Sequence, residues 1–166
     1  MALAKLASRR HFLRGRIADS DTLRPPWSID ESLFVDQCRR CNACVEQCGT
    51  DLLVKGSGGF PEADYSKGFC TFCEKCVEAC EHQALVITES PWQQLPVITD
   101  KCLAMNKVFC RTCEESCEVE AIRFQLKLGG IAQPLIENDL CTGCGECIAD
   151  CPVQALVMKK TAKKAA

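Results

Sequence analysis

The spacing of cysteines near the C-terminus constrains this chain more than any other feature of its sequence. Cys141, Cys144, Cys147 and Cys151 form a C-x2-C-x2-C-x3-C run, and Pro152 follows the last of them. This spacing is typical of proteins that bind [4Fe–4S] clusters, in which the fourth cysteine of a run binds a neighbouring cluster. The first three cysteines can surround one cluster from a single short loop.

The same run predicts local backbone structure. Gly143 and Gly145 lie between the first three cysteines, where they allow a close approach of the backbone and turn its amides toward the sulfurs. We expect Cys151 to begin a helix that points away from this loop, so that its thiolate binds a second cluster rather than the first.

The C-terminal run is the last of four quartets, and the chain from Asp36 onward is therefore an internal repeat. A short apolar stretch follows the fourth cysteine of each quartet at the same offset. These stretches predict four short strands, at Leu53-Val54, Leu85-Val86, Ile122 and Leu156-Val157. All sixteen cysteines belong to the quartets: Cys38, Cys41, Cys44 and Cys48; Cys70, Cys73, Cys76 and Cys80; Cys102, Cys110, Cys113 and Cys117; and Cys141, Cys144, Cys147 and Cys151.

The third quartet departs from the common spacing. It reads C-x7-C-x2-C-x3-C, with Leu103 to Phe109 between Cys102 and Cys110. A loop of this length can still return Cys102 to the same cluster. It also adds surface, which is consistent either with a contact site or with a tolerated insertion.

The number of cysteines indicates either a disulfide scaffold or a metalloprotein. A disulfide scaffold requires an oxidising compartment and therefore an export signal. The first 37 residues contain no apolar run of the length that a secretory signal needs. We therefore expect a cytoplasmic protein in which all sixteen cysteines bind four [4Fe–4S] clusters. Zinc is the chief alternative, but structural zinc sites use two separated C-x2-C pairs instead of one crowded run.

Several functional classes find no support in the sequence. No apolar run is long enough to span a membrane. His11 and His82 are isolated, and we find no pairing of a nucleophile with a base. No G-x-G-x-x-G or P-loop motif indicates a nucleotide cofactor. We predict an electron carrier or partner-binding protein that is not an enzyme and has no nucleic-acid partner.

The two ends of the chain are basic, although the formal net charge is −2. Residues 1–17 contain five Lys or Arg side chains and no acid, and Ser8 to Arg14 resembles a twin-arginine export motif. Polar residues follow where that motif requires an apolar core. We therefore interpret the segment as a docking arm with Arg9 and Arg10 as candidate partner-binding residues. The alternatives are a solvated tail without a role and a functional export signal.

These observations predict an α+β fold of two ferredoxin-like two-cluster modules with a basic N-terminal arm. The expected divisions are 1–35 for the arm and an extended Pro-Pro-Trp linker, 36–90 and 91–158 for the modules, and 159–166 for a Lys-rich tail. We expect Trp27 to pack onto the cluster-binding body. Because the apolar core is small, cluster binding should supply most of the folding energy.

The sequence allows two pairings of the quartets. In a nested arrangement, the first quartet joins the fourth and the second joins the third. The working choice is a sequential arrangement, in which each set takes three cysteines from one quartet and the fourth cysteine of its neighbour: Cys38, Cys41, Cys44 with Cys80; Cys70, Cys73, Cys76 with Cys48; Cys102, Cys110, Cys113 with Cys151; and Cys141, Cys144, Cys147 with Cys117.

The whole chain resembles the NapF-type accessory ferredoxins of the periplasmic nitrate reductase system. The resemblance rests on Ser8-Arg9-Arg10, on Arg24-Pro25-Pro26-Trp27-Ser28, and on the order of the quartets, including the unusual third one that begins Cys102-Leu103-Ala104. It implies a cytoplasmic protein with four [4Fe–4S] clusters that binds the catalytic subunit of periplasmic nitrate reductase before export and assists its maturation. The alternative function is that of an electron-transfer polyferredoxin subunit of a different oxidoreductase.

Overall fold

The computed structural model of the protein describes residues 22–127 and 130–161. The predicted docking arm, with Arg9 and Arg10, lies outside the described residues. None of the helices in the described ranges is long and apolar enough to cross a membrane.

The elements are short: α1 Glu31–Gln37, α2 Ala43–Glu46, β1 Leu53–Lys55, a 3-10 turn Ser57–Gly59, β2 Pro61–Ala63, α3 Lys75–Glu78, β3 Gln94–Ile98, α4 Thr112–Glu115, β4 Ile122–Lys127, β5 Ile131–Ile136, α5 Glu146–Ala149 and β6 Leu156–Lys160.

The strands form three antiparallel pairs. β1 pairs with β2, β4 pairs with β5, and β3 pairs with β6. An isolated antiparallel bridge joins Ser28 to Leu85. The same plan therefore occurs twice along the chain. A hairpin lies between two quartets, and residues before the first quartet pair with residues after the second, through Ser28–Leu85 in the first half and through β3–β6 in the second.

Three of the four predicted strands are confirmed. Leu53-Val54 begins β1, Ile122 begins β4, and Leu156-Val157 begins β6. The fourth, Leu85-Val86, is limited to the single bridge at Leu85. Pro25 and Pro26 precede its partner segment, and because proline has no backbone N–H, the ladder is not extended there.

The expectation that Cys151 begins a helix was wrong. The single helical turn α5 contains Cys147, the third cysteine of the quartet, and it ends before Cys151. The same position of the third cysteine is found in α2, α3 and α4. In every quartet, a residue with positive φ stands three positions after the fourth cysteine, and this left-handed backbone is incompatible with a continuing helix: Asp51, Gln83, Glu120 and Gln154.

The core is continuous through both halves and includes buried cysteines as well as aliphatic and aromatic side chains. The segment predicted to be a linker contributes to it. Trp27 is 6% exposed, as expected for packing on the body, and its indole N–H donates to Thr88 O at 3.3 Å. Phe34 of α1 is fully buried against Phe60. At the other end, Lys159 and Lys160 belong to β6, so the strand extends into the segment predicted to be a tail.

Candidate metal centres

Two cavities in the first half are each lined by four cysteines from two different quartets. Their walls consist largely of ligand-loop residues, and Trp27 also lines one of them while Leu85 lines the other. We name them site 1, which contains Cys38, Cys41, Cys44 and Cys80, and site 2, which contains Cys48, Cys70, Cys73 and Cys76. His82 also lines site 1, from an exposed position.

The cysteines of the second half fall into two further sets. The electrostatic neighbours of the Cys113 thiol are Cys102, Cys110 and Cys151. Those of the Cys147 thiol are Cys117, Cys141 and Cys144, together with Cys113 of the adjacent set. We name these sets site 3, which contains Cys102, Cys110, Cys113 and Cys151, and site 4, which contains Cys117, Cys141, Cys144 and Cys147. In all four sites, three cysteines come from one quartet and the fourth comes from its neighbour. This is the sequential grouping, and the nested one would have joined quartets from different halves.

Backbone amides donate hydrogen bonds to the sulfurs at repeated positions. Two residues after the first cysteine, the Phe72 N–H lies 3.3 Å from Cys70 Sγ, and Arg40 and Gly143 make the corresponding bonds to Cys38 and Cys141. Four residues after the fourth cysteine, the Ala121 and Ala155 amides donate to Cys117 and Cys151 at 3.3 and 3.2 Å. Such donors stabilise the thiolate form, which is the form that binds metal.

Positive φ angles allow these amides to turn inward. In the fourth quartet, Gly143 and Gly145 have φ of 75° and 86°, as their sequence positions predict. Side-chain-bearing residues adopt the same conformation at the same positions in the first two quartets, although this costs roughly 1–2 kcal/mol per residue: Arg40, Asn42, Phe72 and Glu74. Only alignment of the quartets with one another would have revealed these four positions, because none of them is glycine.

The third quartet reaches the same arrangement by a different path. The long loop turns back on itself, and the side-chain amide of Asn106 donates to Asp100 O at 2.6 Å and to Cys102 O at 2.9 Å. Ala104 is buried in a small cluster with Cys102. Cys151 packs against the same cluster, which brings it next to Cys102 in site 3. Phe109, at the end of the loop, is 90% exposed, so the insertion also adds apolar surface.

Burial and mutual repulsion oppose ionisation of the thiols. Burial, with neighbouring thiolates adding to it, raises the pKa of Cys44 and of Cys76 to about 12. The same causes raise the pKa of Cys113 to about 11. Four thiolates in one site therefore require a strongly positive group among them, and binding of such a group releases protons.

The donor sets fit an iron–sulfur cluster better than a single ion. No three or more His, Cys, Asp or Glu side chains in the described part of the chain converge on a point suitable for one metal ion. A cube separates its four thiolates more widely, because each one binds a different iron atom. In addition, Asn42 Oδ1 lies buried beside site 1 and has no hydrogen-bond partner among the described residues. The reverse orientation of this amide would offer N–H donors to cluster sulfur.

Comparisons with known proteins agree with this reading of the site. A family described as 4Fe-4S dicluster domains matches residues 108–161. Together with the short hairpins and the cysteine quartets, this match defines a [4Fe–4S] iron–sulfur protein of the ferredoxin type. Proteins of this type carry electrons.

Full-length relatives identify the family more closely. The ferredoxin-type protein NapF of Escherichia coli (strain K12) is 43% identical over 152 residues, which cover 90% of this chain and 93% of the relative. NapF of Haemophilus influenzae is 44% identical over 162 residues, covering 90% and 92%. The methylamine utilization ferredoxin-type protein MauM of Methylobacillus flagellatus is 31% identical, covering 84% and 68%. The chain belongs to the NapF family of ferredoxin-type proteins.

Proposed function

We propose that this protein holds four [4Fe–4S] clusters, one in each of sites 1 to 4, and that all sixteen cysteines are ligands. The observation that carries the proposal is the sorting of the cysteines into four sets of three plus one. A run of three cysteines in a single loop, completed by the fourth cysteine of a neighbouring run, is the ligand pattern of two-cluster ferredoxins.

Each part of the chain has a defined task in this arrangement. The three-cysteine loops would hold three corners of each cluster, and the fourth cysteine would close the remaining corner after the helical turn. When bound, the clusters supply one-electron oxidation and reduction. The amides of Phe72, Ala121 and Ala155 would donate to ligand sulfurs and stabilise the more negative, reduced state.

We infer two ferredoxin-like modules, one in residues 36–90 and one in residues 91–158. The repeated plan of a hairpin between two quartets supports this division, as does the location of sites 1 and 2 in the first half and sites 3 and 4 in the second. The first module would also include residues before position 36, because Trp27 and Phe34 are part of its core.

We further propose that the protein is a cytoplasmic accessory to the catalytic subunit of periplasmic nitrate reductase, which it binds before that subunit is exported. The basis is the resemblance to NapF proteins over nine-tenths of the chain. The cytoplasm suits sixteen free thiols, because a reducing compartment keeps them available for iron. The role would be electron supply or help with maturation rather than catalysis.

Two measurements test the proposal at different levels. Anaerobically reconstituted protein should contain about 16 iron and about 16 acid-labile sulfide per chain, because each cluster holds four of each. Stoichiometric zinc without sulfide would overturn the cluster assignment. Separately, tagged protein should recover the nitrate reductase catalytic subunit from a cytoplasmic extract, and its recovery with a different oxidoreductase instead would overturn the partner assignment.

The resemblance to MauM favours a second candidate, in which the protein serves a different oxidoreductase as an electron-transfer subunit. MauM carries methylamine utilization in its name and matches over 84% of this chain. The same recovery experiment separates the two functions, since it identifies which catalytic subunit is retained.

The N-terminal arm is the proposed docking segment, with Arg9 and Arg10 as candidate partner-binding residues. The arm is positively charged, whereas the cluster-binding body of the same chain is acidic. The arm would therefore turn its own end of the protein toward an acidic partner surface. The double change Arg9→Glu and Arg10→Glu should weaken the complex and reduce its dependence on salt, while iron content stays at the parental value. Equal recovery of the partner by parent and variant, at low and at high salt, would show that the arm is not the docking segment.

A further inference from the structure

The two halves of the chain are in contact at two ligand loops, those of site 2 and site 4, and we call this contact the seam. The backbone N–H of Cys70, in site 2, donates to the carbonyl oxygen of Cys144, in site 4, at 2.8 Å. The Tyr65 hydroxyl donates to Gly143 O at 3.4 Å, and the Trp92 indole N–H donates to Thr142 O at 3.2 Å. Three successive carbonyls of the fourth ligand loop are therefore held by groups from outside that loop.

Aromatic side chains fill the space around this seam. The rings of Phe72 and Trp92 lie 6.1 Å apart, and those of Trp92 and Tyr65 lie 5.8 Å apart. Tyr65 is buried and accepts a hydrogen bond from the side-chain amide of Gln94, which is also buried. Tyr65 and Gln94 therefore form a buried hydrogen-bonded pair beside the contact between site 2 and site 4.

Close packing around the fourth loop, and not only its ligand conformation, requires its two glycines, and Gly145 lies at the contact between the halves. A Cβ atom on Gly145 would lie 2.0 Å from Tyr65 Cδ1, and one on Gly143 would lie 2.8 Å from Gln94 O. The first quartet adopts the same backbone conformation with Arg40 and Asn42, so conformation alone does not demand glycine here. Close packing does: Gly145 faces Tyr65 of the first half, and Gly143 faces Gln94 of β3 in its own half.

Within each half, the sites are also neighbours. The helical turns α2 and α3, which carry Cys44 of site 1 and Cys76 of site 2, pack against each other. The turns α4 and α5, which carry Cys113 of site 3 and Cys147 of site 4, do the same. Thiols of adjacent sites also interact electrostatically. Cys76 of site 2 is a neighbour of Cys44 of site 1, and Cys113 of site 3 is a neighbour of Cys147 of site 4.

We propose that the four sites form a single line for electron transfer in the order 1–2–4–3, and that the contact between Cys70 and Cys144 is the crossing between the halves. This inference rests on the proposed four clusters. Each crossing moves one electron: the cluster in site 2 is oxidised as the cluster in site 4 is reduced, or the reverse, with no bond made or broken. Sites 1 and 3 are then the two ends, where electrons are exchanged with protein partners.

The test uses the full chain, reconstituted anaerobically, and two double variants that each keep two sites. Cys41→Ala with Cys110→Ala keeps sites 2 and 4, and Cys73→Ala with Cys144→Ala keeps sites 1 and 3. Iron and sulfide are counted first, and each double variant should retain about eight iron atoms, since four belong to each cluster. Electron paramagnetic resonance of the fully reduced proteins then reports spin–spin coupling between the remaining clusters.

We expect a coupled spectrum from the variant that keeps sites 2 and 4, and two uncoupled signals from the variant that keeps sites 1 and 3. Uncoupled signals from the former, or equally strong coupling in the latter, would overturn the linear order. A parent protein with fewer than four clusters would instead overturn the proposed function, and with it this inference. The iron and sulfide count distinguishes these failures.

A single variant with all sixteen cysteines tests the crossing if a double variant does not fold. Gly145→Asn introduces the residue that the first quartet has at the equivalent position, where the same backbone conformation is tolerated, but its Cβ collides with Tyr65. We expect full iron content with loss of the coupling between the halves, so that two separate cluster pairs remain. The matched control Glu74→Gly removes the side chain at the equivalent position of the second quartet, where it is exposed, and should keep the coupling between the halves. Parental coupling in Gly145→Asn at full iron content would contradict the crossing.

Discussion

The first half of the molecule closes around its sites mainly by side-chain burial, whereas the second half closes mainly by backbone pairing. A single bridge, Ser28–Leu85, joins the ends of the first half. Helix α1 adds Phe34, which packs against Phe60 and beneath the Arg24 guanidinium. In the second half, β3 and β6 pair over five residues and β4 and β5 over six. No described helix of comparable length to α1 precedes its ligands.

The comparison shows that the same ligand plan tolerates different means of support. What both halves retain is the set of ligand loops, the helical turn that carries the third cysteine, and the left-handed residue after the fourth. The surroundings differ because they need only to close the chain around the sites. The following experiments test that division, beginning with the largest expected effect.

Removal of iron should affect both halves, because the proposed clusters would fill the interior of each half. Anaerobic chelation is expected to abolish most of the near-native circular dichroism and protease resistance of residues 36–158. Amide hydrogen exchange should show more residual protection in the first half, where Phe34 and Phe60 remain packed. A chelated protein that keeps native protection in both halves would contradict the dependence on clusters.

Loss of one ligand should remove one cluster without removing the others. Cys102→Ala is expected to retain about 12 iron and about 12 sulfide per chain, because only site 3 loses a corner. Cys38→Ala, at the equivalent position of site 1, serves as the comparison and should lose the same amount. Parental iron content in Cys102→Ala alone would mean that the long loop does not return its cysteine to a cluster.

Truncation of the central side chain of the first half should cost considerable stability. Phe34 is fully buried, and Phe34→Ala should lower the free energy of unfolding by about 3–5 kcal/mol through lost burial and a residual cavity. Phe109→Ala, at a side chain that is 90% exposed in the second half, should change it by less than about 0.5 kcal/mol. Denaturant unfolding of the loaded protein measures both, and equal effects would refute the role assigned to α1.

The smallest effect concerns two arginines that stack on aromatic rings in the two halves. Arg24 is largely buried, pairs with Glu31 at 2.7 Å and lies over Phe34, so Arg24→Ala should cost about 1–2 kcal/mol. Arg111 pairs with Glu114 over Phe124 at the surface. Arg111→Ala should leave the unfolding midpoint unchanged, and a loss equal to that of Arg24→Ala would remove the contrast between buried and exposed ion pairs.

The sequence predicted the parts of the fold that depend on local chemistry. The quartets, the strands at Leu53, Ile122 and Leu156, and the turn conformations of the fourth ligand loop follow from short-range patterns of cysteine, apolar residues and glycine. The predicted position of the helical turn was wrong, because the C-x3-C interval does not indicate whether the helix precedes or follows its last cysteine.

Features that depend on long-range contacts do not follow from local sequence patterns. The strands β2, β3 and β5 lack clear alternation, and Pro61, Pro96 and Pro134 within them argue against a strand by propensity alone. They form because each has a partner that covers its backbone, which is a tertiary effect. The grouping of quartets into four sites is of the same kind, since near-equal intervals fit both the sequential and the nested arrangement.

The glycines of the fourth loop limit how freely the repeats of this chain can be exchanged. The four quartets have the same number of cysteines, so the first could in principle be transplanted into the place of the fourth by ligand count alone. The transplant would restore every cysteine yet introduce Arg and Asn side chains where Gly143 and Gly145 meet Gln94 and Tyr65. The reverse transplant meets no such obstacle. Modularity in this protein is therefore directional, and duplication of a quartet alone does not suffice to lengthen the array.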